Sequence, residues 1–156
     1  MIRYILSAPR TIKRLISISY DFLAIPLSIY LALSLRLDTL TPEISAELIY
    51  SAGATTIASI IIFTRIGLYR AVVRFMADRA FVSLLIGSGL SALTFATSSF
   101  LLQADIPRST IIIHFFILLI FIGSPRLFIR AIVSQMSKNG TEPVLIYGAG
   151  HQGIAL

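Results

Sequence analysis

Four long apolar stretches, parted by short polar segments, govern what this chain can fold into. The first covers 15–35, interrupted only by Asp21 and ended by Arg36. The second covers 48–64 and stops at Arg65, the third covers 80–102 without a charge, and the fourth covers 109–124 and stops at Pro125-Arg126. A helix needs about 20 apolar residues to cross ~30 Å of hydrocarbon. The first and third stretches meet that length. The second and fourth fall a few residues short, but arginines at their ends can snorkel and the helices can extend into the interface, so both are read as transmembrane. Strands are excluded, because the runs are too long and do not alternate.

Composition agrees. Of 156 residues, 56% are hydrophobic and 13% charged, where a soluble domain carries about 25% charged. A domain this small has too much surface for its volume to hide that apolar content from water. Disorder, which requires low hydrophobicity, is excluded as well. The absence of cysteine rules out disulfide scaffolds, cysteine-ligated zinc or iron–sulfur sites and thiol catalysis. The predicted fold is an all-α, four-transmembrane-helix bundle. The basic start (Arg3, Arg10, Lys13, Arg14) resembles that of a signal peptide, yet the apolar run is too long for one and no small-residue cleavage site follows. An uncleaved first helix is expected.

The net charge of +6 is a topology signal. Basic residues cluster in 1–14, in 65–79 (Arg65, Arg70, Arg74, Arg79) and after Ser124 (Arg126, Arg130, Lys138). The two remaining loops hold only Arg36 and Arg108, beside Asp38, Glu43, Glu47 and Asp105. The positive-inside rule then predicts four spans with both termini cytoplasmic. Nucleic-acid binding is not expected, since the arginines sit beside span ends and no binding motif accompanies them.

Lipid gives helices no hydrophobic reason to associate, so small residues must let backbones approach. Ser83, Gly87 and Ser91, then Ser88, Ala92 and Ala96, form such rows in the third span, and Ser51, Gly53, Ala54 and Ala58 in the second. They predict the seams of a compact bundle. Asp21 lies about two turns into the first span. It is expected to pair with a basic residue near the cytoplasmic face, such as Arg14 or an arginine of 65–79; the alternative is a proton or ligand site. His114 is expected to be a packing or interfacial histidine, because no second ligand stands at metal spacing. Arg70 and Arg74, four apart with Tyr69 and Phe75 nearby, suit an amphipathic segment on anionic lipid. A docking surface for a cytoplasmic domain or a phosphorylated substrate is the sharper alternative.

After residue 136 the composition changes. Residues 131–142 are read as a linker, polar and turn-rich from Ser137 onward, followed by an apolar strand, 144–147. Gly148, Gly150 and Gly153 come next, in Gly148-Ala149-Gly150-His151-Gln152-Gly153. This is G-x-G-x-x-G after a strand, the pattern of a dinucleotide site. The first glycine allows the turn, the second lets the backbone approach a pyrophosphate, and the third permits close helix–strand packing. The alternative is a glycine-rich turn of another α/β domain. The acid expected about 20 residues on would lie past Leu156. The expectation is therefore a fragment carrying only the first strand and glycine turn of a truncated Rossmann domain, which alone binds no cofactor.

The order of features resembles the membrane-bound nucleotide-sugar 4,6-dehydratase/epimerase family of bacterial polysaccharide biosynthesis. The matching residues are Asp21 with 32–37, Gly67-Leu68-Tyr69-Arg70 with Arg74-Phe75, Ile106-Pro107-Arg108-Ser109, Ser124-Pro125-Arg126 through Arg130, and 145–153. Val73 stands where that family often has tryptophan. The resemblance implies a multi-pass protein of the bacterial inner membrane. It implies a UDP-N-acetylhexosamine-type substrate and recycled NAD or NADP, with Gly148, Gly150 and Gly153 as cofactor contacts. No catalytic residue can be carried over. The partners are the lipid bilayer and, in the full-length protein, the nucleotide sugar; a homo-oligomer is left open. Two alternatives remain. One is the N-terminal region of a polyprenyl-phosphate sugar-phosphate transferase, and the other a non-catalytic membrane anchor or oligomerisation module. A transporter fits least, for want of polar pore-lining runs or broken helices.

Overall fold

The structure, a computed structural model, describes residues 10–69 and 77–139. Four helices fill them: α1 (Arg10–Leu37), α2 (Ala46–Ile66), α3 (Ala77–Leu101) and α4 (Arg108–Asn139). Each is long and apolar enough to cross a membrane, over Arg14–Leu37, Ala46–Ile66, Phe81–Leu101 and Arg108–Phe128. The shortest spans have 21 residues, about 31 Å at 1.5 Å per residue, which matches the hydrocarbon thickness. The chain is thus a multi-pass, all-helical membrane protein over the described residues. The second and fourth spans are longer than their apolar runs because the helical ladder continues through polar and charged termini. The segment expected as a linker, 131–142, is helical through Asn139. The expected strand at 144–147, with Gly148, Gly150 and Gly153, lies outside the described residues, as do Arg70 and Arg74.

Helix ends are set by local chemistry. The Ser45 hydroxyl caps α2 by accepting from the Leu48 N–H at 3.2 Å. Beyond α2, Gly67 takes a left-handed φ of 79°. Its N–H donates to the Thr64 carbonyl and that of Leu68 to the Phe63 carbonyl, the paired bonds of a Schellman motif. Leu68 and Phe63 are both buried and belong to the core, which supplies the motif's hydrophobic contact. The same pair of bonds ends α3 at Gln103, and α1 ends with the Thr39 N–H donating to the Ser34 carbonyl; Asp38 and Gln103 each take a φ of 53°.

The core joins Ile25, Ile29 and Leu33 of α1, Phe63 of α2, Phe95 of α3 and Leu118 of α4. Large apolar side chains on the other faces, such as Leu23, Ile57, Leu93 and Ile120, are exposed and suit lipid. The closest helix pair is α2 with α3, and small residues explain it. Gly87 faces Phe63 so closely that a Cβ would sit 3.1 Å from the ring. Ser59 donates to Ser91 at 2.7 Å, and Ser51 and Thr55 each reach Ser98 at 3.0 Å. The working seam of α2 is therefore Ser51, Thr55 and Ser59, one row at four-residue spacing. Gly53 and Ala54, expected in it, are exposed, and a Cβ on Gly53 would meet nothing within 4 Å.

Candidate functional site

Two prolines stand inside helices, and each removes a backbone donor. Pro125 in α4 leaves the Phe121 carbonyl without its usual partner. The Tyr20 hydroxyl of α1 donates to that carbonyl at 3.1 Å. The residue after Tyr20 is Asp21, and the residue after Pro125 is Arg126. Arg126 Nη2 donates to Asp21 Oδ2 at 2.7 Å. The Tyr69 hydroxyl donates to the same oxygen at 2.9 Å. The guanidinium also lies over the Tyr69 ring, 5.6 Å from its centroid, within cation–π reach.

Tyr69 arrives there because of the turn before it. Gly67 reverses the chain, Leu68 seats in the core, and Tyr69 is carried back toward α1, where only 9% of it remains exposed. Burial pushes its phenol pKa well above the ordinary value, and the neighbouring Asp21 charge adds to the rise. Asp21 itself is 1% exposed. Among the described residues the carboxylate receives two donors, one of them cationic, so the Asp21–Arg126 pair is neutral overall and hydrogen-bonded. That is the condition under which charges persist in a low-dielectric interior.

Asp21 does pair with a basic residue at the basic end of the bundle. The partner is Arg126 of α4, and neither Arg14 nor Arg65, which are both exposed. The cause is helix register: up to Arg126, α4 runs antiparallel to α1, and Ser28 opposite His114 and Tyr20 at the Phe121 carbonyl put Asp21 within reach of Arg126. His114 is fully buried, with Nδ1 3.0 Å from Ser28 Oγ and its ring centroid 5.3 Å from that of Phe95. It is a packing histidine, not an interfacial one. Among the described residues no three His, Cys, Asp or Glu side chains are placed to hold a metal.

A groove of about 420 Å³ opens between α1 and α2, lined by Phe22, Pro26, Ile29, Leu48, Gly53 and Ile57 among others. Its one tyrosine, Tyr30, donates its hydroxyl to the Leu40 carbonyl at 2.7 Å. The lining suits hydrocarbon and offers no charged group for a sugar nucleotide. Compared with family models, curated proteins and solved structures, the chain matches none.

Proposed function

We propose that this chain is the membrane region of a nucleotide-sugar 4,6-dehydratase of bacterial polysaccharide biosynthesis. In this reading both termini are cytoplasmic in the inner membrane, and the Rossmann domain begins at the glycine turn 148–153. One observation carries most weight. Three sequence elements that bear the resemblance, Asp21, Gly67-Leu68-Tyr69 and Ser124-Pro125-Arg126, meet in one hydrogen-bonded cluster. Residues far apart in sequence are thereby accounted for by one structural task, which is to fix the basic end of the bundle. NAD or NADP would take the hydride from C4 of the sugar and return it to C6 after loss of water. Gly148, Gly150 and Gly153 would cradle its pyrophosphate.

The apolar groove favours a second reading, the N-terminal region of a polyprenyl-phosphate sugar-phosphate transferase, whose substrate has a long hydrocarbon tail. The assay separates the two. The full-length protein in detergent is given a UDP-N-acetylhexosamine, with and without polyprenyl phosphate. Dehydration gives a 4-keto-6-deoxy sugar nucleotide, one water lighter, without any lipid acceptor. Transfer releases UMP only when the lipid is present, and that outcome would overturn the first reading. Topology has its own test. Reporters fused after residues 42 and 105 should read periplasmic, and one after residue 75 cytoplasmic; any other pattern refutes the orientation.

A further inference from the structure

Among the described residues three buried polar side-chain atoms of α4 have no partner, Arg126 Nη1, Thr110 Oγ1 and His114 Nε2, and counting protons shows what the last two require. The Ser28 hydroxyl donates to the Ile25 carbonyl at 2.6 Å. It has a single proton, so in its contact with His114 it must be the acceptor, and His114 Nδ1–H the donor. A second proton on Nε2 would make a buried imidazolium, and the one acid buried in the spans, Asp21, is engaged by Arg126. Nε2 therefore presents a lone pair, and no donor reaches it. One turn earlier on the same face, Thr110 Oγ1 is likewise without a partner. Both residues are 0% exposed.

Side chains four apart on a helix have Cβ atoms roughly 5–6 Å apart, a separation one water can bridge. By the register of Ser28 opposite His114, Thr110 lies level with Ala32, which is also 0% exposed. Alanine brings no polar atom there. Phe95 closes the α3 side and brings no polar atom.

We propose that His114 Nε2 and Thr110 Oγ1 hold one internal water molecule within the bundle. The water donates to Nε2 and shares a second hydrogen bond with the Thr110 hydroxyl. Two polar partners are the fewest an internal water normally has. A larger hydroxylic ligand does not fit, because Ser28, Ala32, Phe95, Thr110 and His114 leave no exposed surface through which it could enter.

The test uses the full chain, labelled with 15N-histidine, in lipid nanodiscs. His114→Gln assigns the signals by removing one of the two histidine sets. The expected spectrum has Nδ1 protonated, Nε2 unprotonated, and magnetisation transfer from water to the His114 ring. Thr110→Val should abolish that transfer while Nδ1 stays protonated, and Thr110→Ser should keep it. The proposal is overturned by a protonated Nε2, by no water transfer in the parent chain, or by transfer that survives Thr110→Val. If Thr110→Val does not fold, Thr110→Ala makes the same comparison.

Discussion

Replacing Arg126 with methionine keeps most of the side chain's volume and removes its charge. Among the described residues Asp21 then keeps one donor, the Tyr69 hydroxyl. The carboxylate lies seven residues past the start of its span at Arg14, about 10 Å along the helix axis, and it is 1% exposed. Removing one partner of a buried pair costs about 3–5 kcal/mol, because the other charge stays behind uncompensated. The surviving Tyr69 bond and the 16% exposure of the Arg126 side chain place the expectation at the low end, about 3 kcal/mol, or roughly two decades in the unfolding equilibrium. Asp21→Asn should cost less, about 1–2 kcal/mol, since a freed arginine near the interface can snorkel to water. The double variant Asp21→Leu/Arg126→Met carries no orphaned charge. It should unfold within about 1–2 kcal/mol of the parent, well short of the sum of the single losses. The assay is equilibrium unfolding of the full chain in mixed micelles, followed by circular dichroism because the chain has no tryptophan. An Arg126→Met variant within about 0.5 kcal/mol of the parent, or a double variant equal to the sum of the singles, would refute the buried pair as the clamp of this end.

Three further outcomes follow from the same geometry. Gly87→Ala places a Cβ 3.1 Å from the Phe63 ring and should destabilise by about 1–3 kcal/mol, whereas Gly53→Ala meets open space and should be neutral or stabilising by up to about 1 kcal/mol; equal effects in the unfolding assay would contradict the assigned seam. Gly67→Ala forces a Cβ into the left-handed region at φ 79° and should cost about 1–2 kcal/mol, read as a lower unfolding midpoint, and no change in midpoint would show that the turn is not under this constraint. The folded-state pKa of Tyr69 is raised, so the native state holds this proton more tightly than the unfolded state, whose value is about 10. Its stabilising contribution is complete below that value and is lost as pH rises through the folded value, so unfolding midpoints should fall more steeply above about pH 10 in the parent than in Tyr69→Phe; parallel profiles would show that Tyr69 is not titrating in the cluster.

Much of the bundle was legible from residue types alone, because a bilayer admits few spanning structures and charges mark the ends of spans. The errors at those ends have one origin. Counting apolar residues ended the second span at Thr64, but a helix ends where its hydrogen-bond ladder is closed, and Ser45 and Gly67 close this one. The seams were only partly legible. Small residues at four-residue spacing marked Gly87 and Ser91 correctly, yet Gly53 and Ala54 are just as small and face outward. Size says that a close approach is allowed; whether it happens depends on helix rotation, which is set by contacts distant in sequence. The partner of Asp21 was hidden for the same reason, since it lies 105 residues away. The sequence did hold a cue to it. A proline just past an apolar run, within the same helix, leaves a carbonyl inside the run that hydrocarbon cannot satisfy, and a donor opposite residue 121 meets that need.

That cue explains why the cluster has the members it has. The Tyr20 bond to the Phe121 carbonyl repairs the ladder broken by Pro125, but one bond to a helix leaves the helix free to rotate about it. The Asp21–Arg126 pair adds a second attachment, one residue on in α1 and five residues on in α4, and two attachments fix the rotation of this part of α4 against α1. Tyr69 then ties in the end of α2, and it reaches the carboxylate only because Gly67 turns the chain back. At the opposite end Tyr30 donates to the Leu40 carbonyl and holds a loop to its own helix, while Ser51 and Thr55 tie α2 to Ser98 of α3. The basic end differs in tying α1 to both α2 and α4 through one carboxylate.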